Sequence, residues 1–190
     1  MGLISDRPDR FLQFVNDLLE TARLFRPFLA ASRELKDKTD RLEAVLFNER
    51  NGLGEQAVAI LAVIGPHDRP SEAKDKGRLV AGFIDRWYAL RVLQDLPVQA
   101  SDVSDLVHGT LVPVLRGCRT PGDVVAVLSE LVLRDGASIP EATTFGLRGN
   151  NAHQIGYLLA RATAYVEDAC QRPYDVLAYL DRTRFHIEHL

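Results

Sequence analysis

The feature that most constrains this chain is the spacing of the large apolar residues near its start. Phe11, Val15, Leu18, Ala22, Phe25 and Leu29 recur at intervals of three or four. An α-helix turns once every 3.6 residues, so this spacing gathers all six on one stripe. On a strand the same residues would scatter over both faces. The preceding Ser5-Asp6-Arg7-Pro8 supplies a capping residue and an early proline. Pro27 is expected to kink or end the helix.

The helical period persists along the chain. Residues 34–47 read as a second, polar helix with Leu35, Leu42, Val45 and Leu46 as a thin apolar edge, and 48–54 as a turn. Residues 55–65 are apolar on most sides and should be central. Ser71 is expected to cap a long helix over 72–93, with Val80, Phe83, Ile84, Trp87, Tyr88 and Arg91 along its inner side or edge. Ser101 and Asp102 begin a helix carrying Leu106, Val107, Leu111, Val114 and Leu115, with Pro113 as an irregularity. Thr120-Pro121-Gly122-Asp123 is a strong start signal. Thr120 can cap, proline suits the first position, and Asp123 closes a capping box. Gly136 ends that helix, and 137–151 read as a loop. The next helix should bury Ile155, Leu158, Leu159, Ala162, Tyr165 and Val166, stopping at Pro173. Phe185, Ile187 and His189 then alternate, which suggests a short strand. Alternating strand–helix units, glycine-rich phosphate loops and fixed repeats are absent from the sequence. The expected fold is all-α: an irregular bundle of about seven helices over residues 1–172, with a short non-helical tail over 173–190.

A formal charge of −3 argues against gripping a phosphate backbone by bulk charge. The two cysteines, Cys118 and Cys170, are too few for a disulfide framework and match no zinc spacing. Their default reading is buried, reduced thiols in a cytoplasmic protein. The N-terminus lacks a signal-peptide apolar core, and no apolar run approaches the roughly 18 residues of a membrane span.

Several clusters could carry chemistry. His67 beside Asp68 could be a base and its orienting acid, although a polar turn explains the pair as well. His108, next to Gly109 on a predicted helix, and His153, in the first turn of another, read as ordinary polar positions. Asp85, Arg86, Trp87, Tyr88 and Arg91 interleave aromatic and basic groups as single-strand nucleic-acid binders do. An amphipathic helix with Trp87 in the core and Asp85 and Arg86 on the rim accounts for them too. Arg161 and Tyr165 are one turn apart. Glu167 and Asp168 are adjacent and point to different sides of a helix, which suits a solvated face. In the tail, His186 and His189 share a face if helical and oppose each other if extended.

Residues 165–190, Tyr-Val-Glu-Asp-Ala-Cys-Gln-Arg-Pro through Phe-His-Ile-Glu-His-Leu, resemble a segment of the GmrSD-type modification-dependent restriction endonucleases. Ile187, Glu188, His189 and Leu190 match the start of an Ile-Glu-His-Ile/Leu-Pro pattern that opens the HNH nuclease domain of those enzymes. Residues 51–65, 77–93 and 151–167 are similar to helices of the region before it. The resemblance implies that His189 is the general base that activates water. It places Glu188 beside a divalent metal, Mg or Mn, in the complete nuclease. It assigns His186 no role. It also implies a parent enzyme with a ParB-like sensor domain, whose Asp-Gly-Gln-Gln-Arg-like motif is absent here. The chain would then be a helical connector or regulatory domain, ending at the first catalytic strand and without a complete active site. It would hold no cofactor itself. Its partners would be the other domains of the parent, with DNA reached through them and no membrane, and with room for a homodimer. The Met-Gly start and His-Leu end fit a piece cut from a longer protein. Two other readings stay open: a stand-alone helical interaction module, and a small helical enzyme using the tail histidines with metal.

Overall fold

The computed structural model describes residues 8–35, 41–135 and 152–172. Every regular element among them is helical: α1 (Pro8–Ala31), α2 (Glu43–Arg50), α3 (Gln56–Val63), α4 (Pro70–Leu93), α5 (Ala100–Ser104), a π-helical turn (Asp105–Leu111), α6 (Val112–Leu115), α7 (Pro121–Asp135) and α8 (Ala152–Ala169). The fold is all-α, as the apolar period predicts. It divides into two compact units, Met1–Trp87 with Val98–Ala137, and Tyr88–Pro97 with Ser138–Leu190, so the division falls within α4.

The first unit is built around α2 and α3. Five consecutive α2 residues, Ala44 to Asn48, are buried. The thin apolar edge expected here is therefore wrong, and this helix is enclosed on all sides. Its end follows from a left-handed glycine. Gly52 has φ +77°, Leu53 N–H donates to the Asn48 carbonyl at 2.8 Å, and Gly52 N–H to that of Glu49 at 3.1 Å. These two bonds satisfy the carbonyls that a helix C-terminus leaves open. The buried Asn48 amide donates to Gln56 Oε1 at 3.0 Å and to the Ala81 carbonyl at 3.0 Å. Gln56 in turn donates to the Val45 carbonyl at 2.9 Å. Two buried side-chain amides thus fasten α2, α3 and α4 together through their N–H groups, while Asn48 Oδ1 is buried without a hydrogen-bond partner. α3 is central in its contacts with α1, α6 and the π-helical turn. It still leaves Val58 and Leu61 exposed, so it is not apolar-packed all round.

α1 and α4 meet at a glycine. The Phe28 ring lies against Gly77, where a Cβ would come within 2.3 Å of Cζ. Leu24, Phe28 and Ala31 are the buried residues of α1. The helix continues through Pro27, with Ser32 N–H bonded to the Phe28 carbonyl at 2.9 Å. Pro27 removes one donor, and the burial of Phe28 and Ala31 beyond it offsets that loss. α4 begins at Pro70, not after Ser71. Arg69 is the capping position, and its N–H is taken by Glu72 Oε2 at 3.1 Å. Pro70 then fills the first helical position, where a missing N–H costs nothing.

Pro113 has a structural consequence. In a regular helix its ring would strike the carbonyl four residues back. Here the preceding turn is π-helical, with Val112 N–H reaching five residues back to the Val107 carbonyl. The wider turn admits the proline, and α5, the π turn and α6 form one run. α7 starts as its sequence predicts. Asp123 Oδ2 accepts from Thr120 N–H at 2.8 Å and from Arg119 N–H at 2.9 Å, and Asp123 N–H donates to Thr120 Oγ1 at 3.2 Å. This reciprocal pair is a capping box.

In the second unit, Tyr88 meets Tyr157 edge-on, with ring centroids 5.1 Å apart and planes at 73°. That geometry suits the opposed charge of ring edge and face. Asp95, at φ +55°, closes α4, and Arg91 Nη2 donates to the Pro97 carbonyl at 2.8 Å. α8 buries Tyr157, Ala160 and Ala164. Leu159, Tyr165 and Val166 of the expected face are exposed instead.

Candidate functional site

The most distinctive surface is the outer side of α1. Phe11 is 66% exposed, Leu12 58%, Phe14 62%, Leu18 57% and Leu19 62%. Leu29 continues the strip towards the C-terminal end of the helix. The stripe Phe11, Val15, Leu18, Ala22, Phe25 and Leu29 is therefore real, but it is not the face that enters the core. The packed face is the neighbouring one, Leu24, Phe28 and Ala31. At 100° per residue the two faces are centred about a third of a turn apart. Before Leu24 no residue of α1 from Arg10 onwards is buried. About four turns of helix thus present apolar side chains to solvent, and helices of that length are marginal in water without support.

The polar clusters are mostly structural. Asp68 accepts Gly65 N–H at 2.8 Å and holds the Lys76 ammonium with both oxygens, at 2.8 and 2.7 Å. Lys76 is only 1% exposed and also donates to the Val63 carbonyl at 3.2 Å. A buried cation thus closes the α3 C-terminus, where a helix dipole favours positive charge. Asp68 is committed to this loop, while His67 is exposed. Asp85 is buried and Arg86 exposed, with Trp87 half-buried. Arg86 is on the rim as expected, but Asp85, expected beside it, is buried, and Trp87 reaches the core only in part. Glu167 is half-buried and Asp168 exposed.

His108 has a partner that its sequence neighbourhood does not reveal. Its Nε2 is 3.2 Å from Glu55 Oε2, the two side chains being 53% and 38% exposed. Glu55 immediately precedes α3 and His108 lies in the π-helical turn. Only the fold brings them together. The two atoms are close without a hydrogen bond, since Glu55 Oε2 has no hydrogen-bond partner, and among the described residues no three His, Cys, Asp or Glu side chains gather as a metal site. Cys118 is buried, and its thiol is pushed up by burial and secondarily by the Asp123 charge, with Lys76 opposing. Cys170 is exposed. The tail residues His186, Glu188 and His189 lie outside the described residues, as does the strand suggested there. No helix among the described residues is long and apolar enough to cross a membrane.

Comparison with known proteins adds no kinship: no family model, curated protein or solved structure matches the chain.

Proposed function

We propose that this chain is a helical protein-interaction domain whose contact element is the outer face of α1. The supporting observation is the exposure of Phe11, Leu12, Phe14, Leu18 and Leu19 on one end of a helix whose other end is anchored by Leu24, Phe28 and Ala31. At roughly 100 Å² from each of five or six such side chains, the patch reaches about the 600 Å² that marks interaction surfaces on single chains. An amphipathic helix of this kind docks by regularly spaced apolar anchors. The test is a photo-crosslinking amino acid in place of Phe14, in the native host. A discrete adduct is expected there and not from Arg86, which is exposed on a polar site. Equal, diffuse labelling from both positions would refute the reading.

A more specific form of the same role is favoured by Ile187, Glu188, His189 and Leu190. In it the chain is the connector or regulatory domain of a modification-dependent restriction endonuclease used in phage defence. Glu188 would then stand beside the divalent metal and His189 would be the general base of the completed HNH site. The test is the genomic frame after the Leu190 codon. A proline codon followed by further HNH ligands is expected, and an immediate stop would refute it.

A further inference from the structure

Phe11, Val15, Leu18, Ala22, Phe25 and Leu29 are separated by four, three, four, three and four residues. Six positions in four-three order, over not quite three heptads, fit the seam of a coiled coil. Such a seam meets another helix side by side, rather than a flat surface or a short peptide. No charged residue interrupts it. Glu20 and Arg23, near its middle, lie away from the stripe and approach each other within the same helix, at 3.7 Å.

We propose that the second helix is α1 of another copy of this chain, packed antiparallel about a twofold axis near residue 20. The proposal rests on the reading of α1 as the contact element and names its partner. In this register Phe11 meets Leu29, Val15 meets Phe25, and Leu18 meets the small Ala22, so each large side chain faces a complementary one. Leu19, which is exposed beside the seam, approaches its own symmetry mate, and Leu12 lies along the aliphatic stem of Arg26. The antiparallel direction follows from where α1 is supported. Leu24, Phe28 and Ala31 anchor only its C-terminal part. Antiparallel pairing lays the unsupported turns of one copy on the anchored turns of the other, twice. Parallel pairing would leave both unsupported ends together with no core beneath them.

The area is sufficient. About 600 Å² from each copy gives about 1,200 Å² in total, the lower end of stable specific interfaces. A twofold pair is also the commonest way in which identical chains associate.

The test uses the full chain in light scattering and sedimentation over about 1–100 μM, the weak end for interfaces of this size. A species of twice 21.2 kDa is expected. Leu18→Glu puts an unpaired charge in the seam and should weaken the dimer by at least about 100-fold. Phe11→Gln should weaken it without adding charge, and both side chains are exposed, so folding is spared. Direction is read by disulfide trapping in a Cys170→Ser background. Phe11→Cys with Leu29→Cys in one chain should give a covalent dimer. The two sites are about 27 Å apart along one helix and cannot bridge within it. Phe11→Cys alone should give none, and a dimer from it would overturn the antiparallel arrangement. A monomer throughout the concentration range would overturn the proposal. If the Phe14 crosslinker then captured a different protein, the contact role of α1 would survive and only the second copy would be wrong. No adduct at all would remove both.

Discussion

Gly77→Ala sets two effects against each other. Gly77 lies inside α4, where alanine is favoured over glycine by about 0.8–1.0 kcal/mol. Propensity alone therefore predicts stabilisation. The packing predicts the opposite. A Cβ at residue 77 would lie 2.3 Å from Phe28 Cζ, 2.5 Å from Cε1 and 3.1 Å from Ile60 Cγ2. Carbon atoms in contact prefer about 3.5–4.0 Å, so the ring would have to retreat by more than about 1 Å. It has little room. Phe28 is 1% exposed, and its ring stacks on Phe25, with centroids 6.1 Å apart. Overpacking of this kind costs about 1–3 kcal/mol, occasionally more. A contact this short belongs at the upper end, leaving a net loss of about 2 kcal/mol after the propensity gain. For a chain of this length that lowers Tm by about 4–8 °C. Urea unfolding followed by circular dichroism gives the free energy directly. In a Phe28→Leu background the same glycine change should be neutral or mildly stabilising, because the planar ring is gone. A Gly77→Ala protein with raised Tm would refute the reasoning, as would an equal penalty in both backgrounds.

Lys76→Met should cost about 3 kcal/mol, because it strands the Asp68 carboxylate; the further change Asp68→Asn should recover part of that in a double-mutant cycle. Thr120→Ala should cost about 1 kcal/mol in urea unfolding through loss of the α7 cap. Asp123 is held below its ordinary 3.8 by the Thr120 and Arg119 N–H groups and then by the Thr120 hydroxyl. Its folded value is the lower one, so its contribution is complete above 3.8 and is lost as pH falls through the folded value. The stability gap between the wild type and Asp123→Asn should therefore close below pH 3.8, and a gap unchanged by pH would contradict this. A thiol reagent should label exposed Cys170 quickly and buried Cys118 only as the protein unfolds. With Mg²⁺ or Mn²⁺ the chain should leave plain and modified plasmid intact; nicking abolished by His189→Ala would show a working nuclease.

Signals that act within a few residues were legible in the sequence. The Thr120–Asp123 box, the Gly52 turn and the disturbance at Pro113 all appear where local chemistry places them, because each depends on backbone groups within about one helical turn. Pairings between distant elements were not legible. Nothing near His108 announces Glu55, and nothing in the Gly65–Arg69 loop shows that Asp68 will hold a buried lysine from α4. The misread faces have a common cause. A hydrophobic stripe reports that a helix surface avoids water, not which surface covers it. In α8 the larger side chains Leu159, Tyr165 and Val166 stay out while Tyr157, Ala160 and Ala164 go in. Packing thus selected a face that a hydrophobicity count ranks lower. In α1 the difference carries more weight. The inner face needs only Leu24, Phe28 and Ala31, with Phe28 seated on Gly77. The outer face is longer, bulkier and follows the coiled-coil period. A helix that needed only its own core would require the first face alone. Apart from Phe25, which stacks on Phe28, the outer face leaves Phe11, Leu12, Phe14, Leu18, Leu19 and Leu29 exposed, and apolar side chains left in water are costly. That asymmetry supports a contact beyond the single chain.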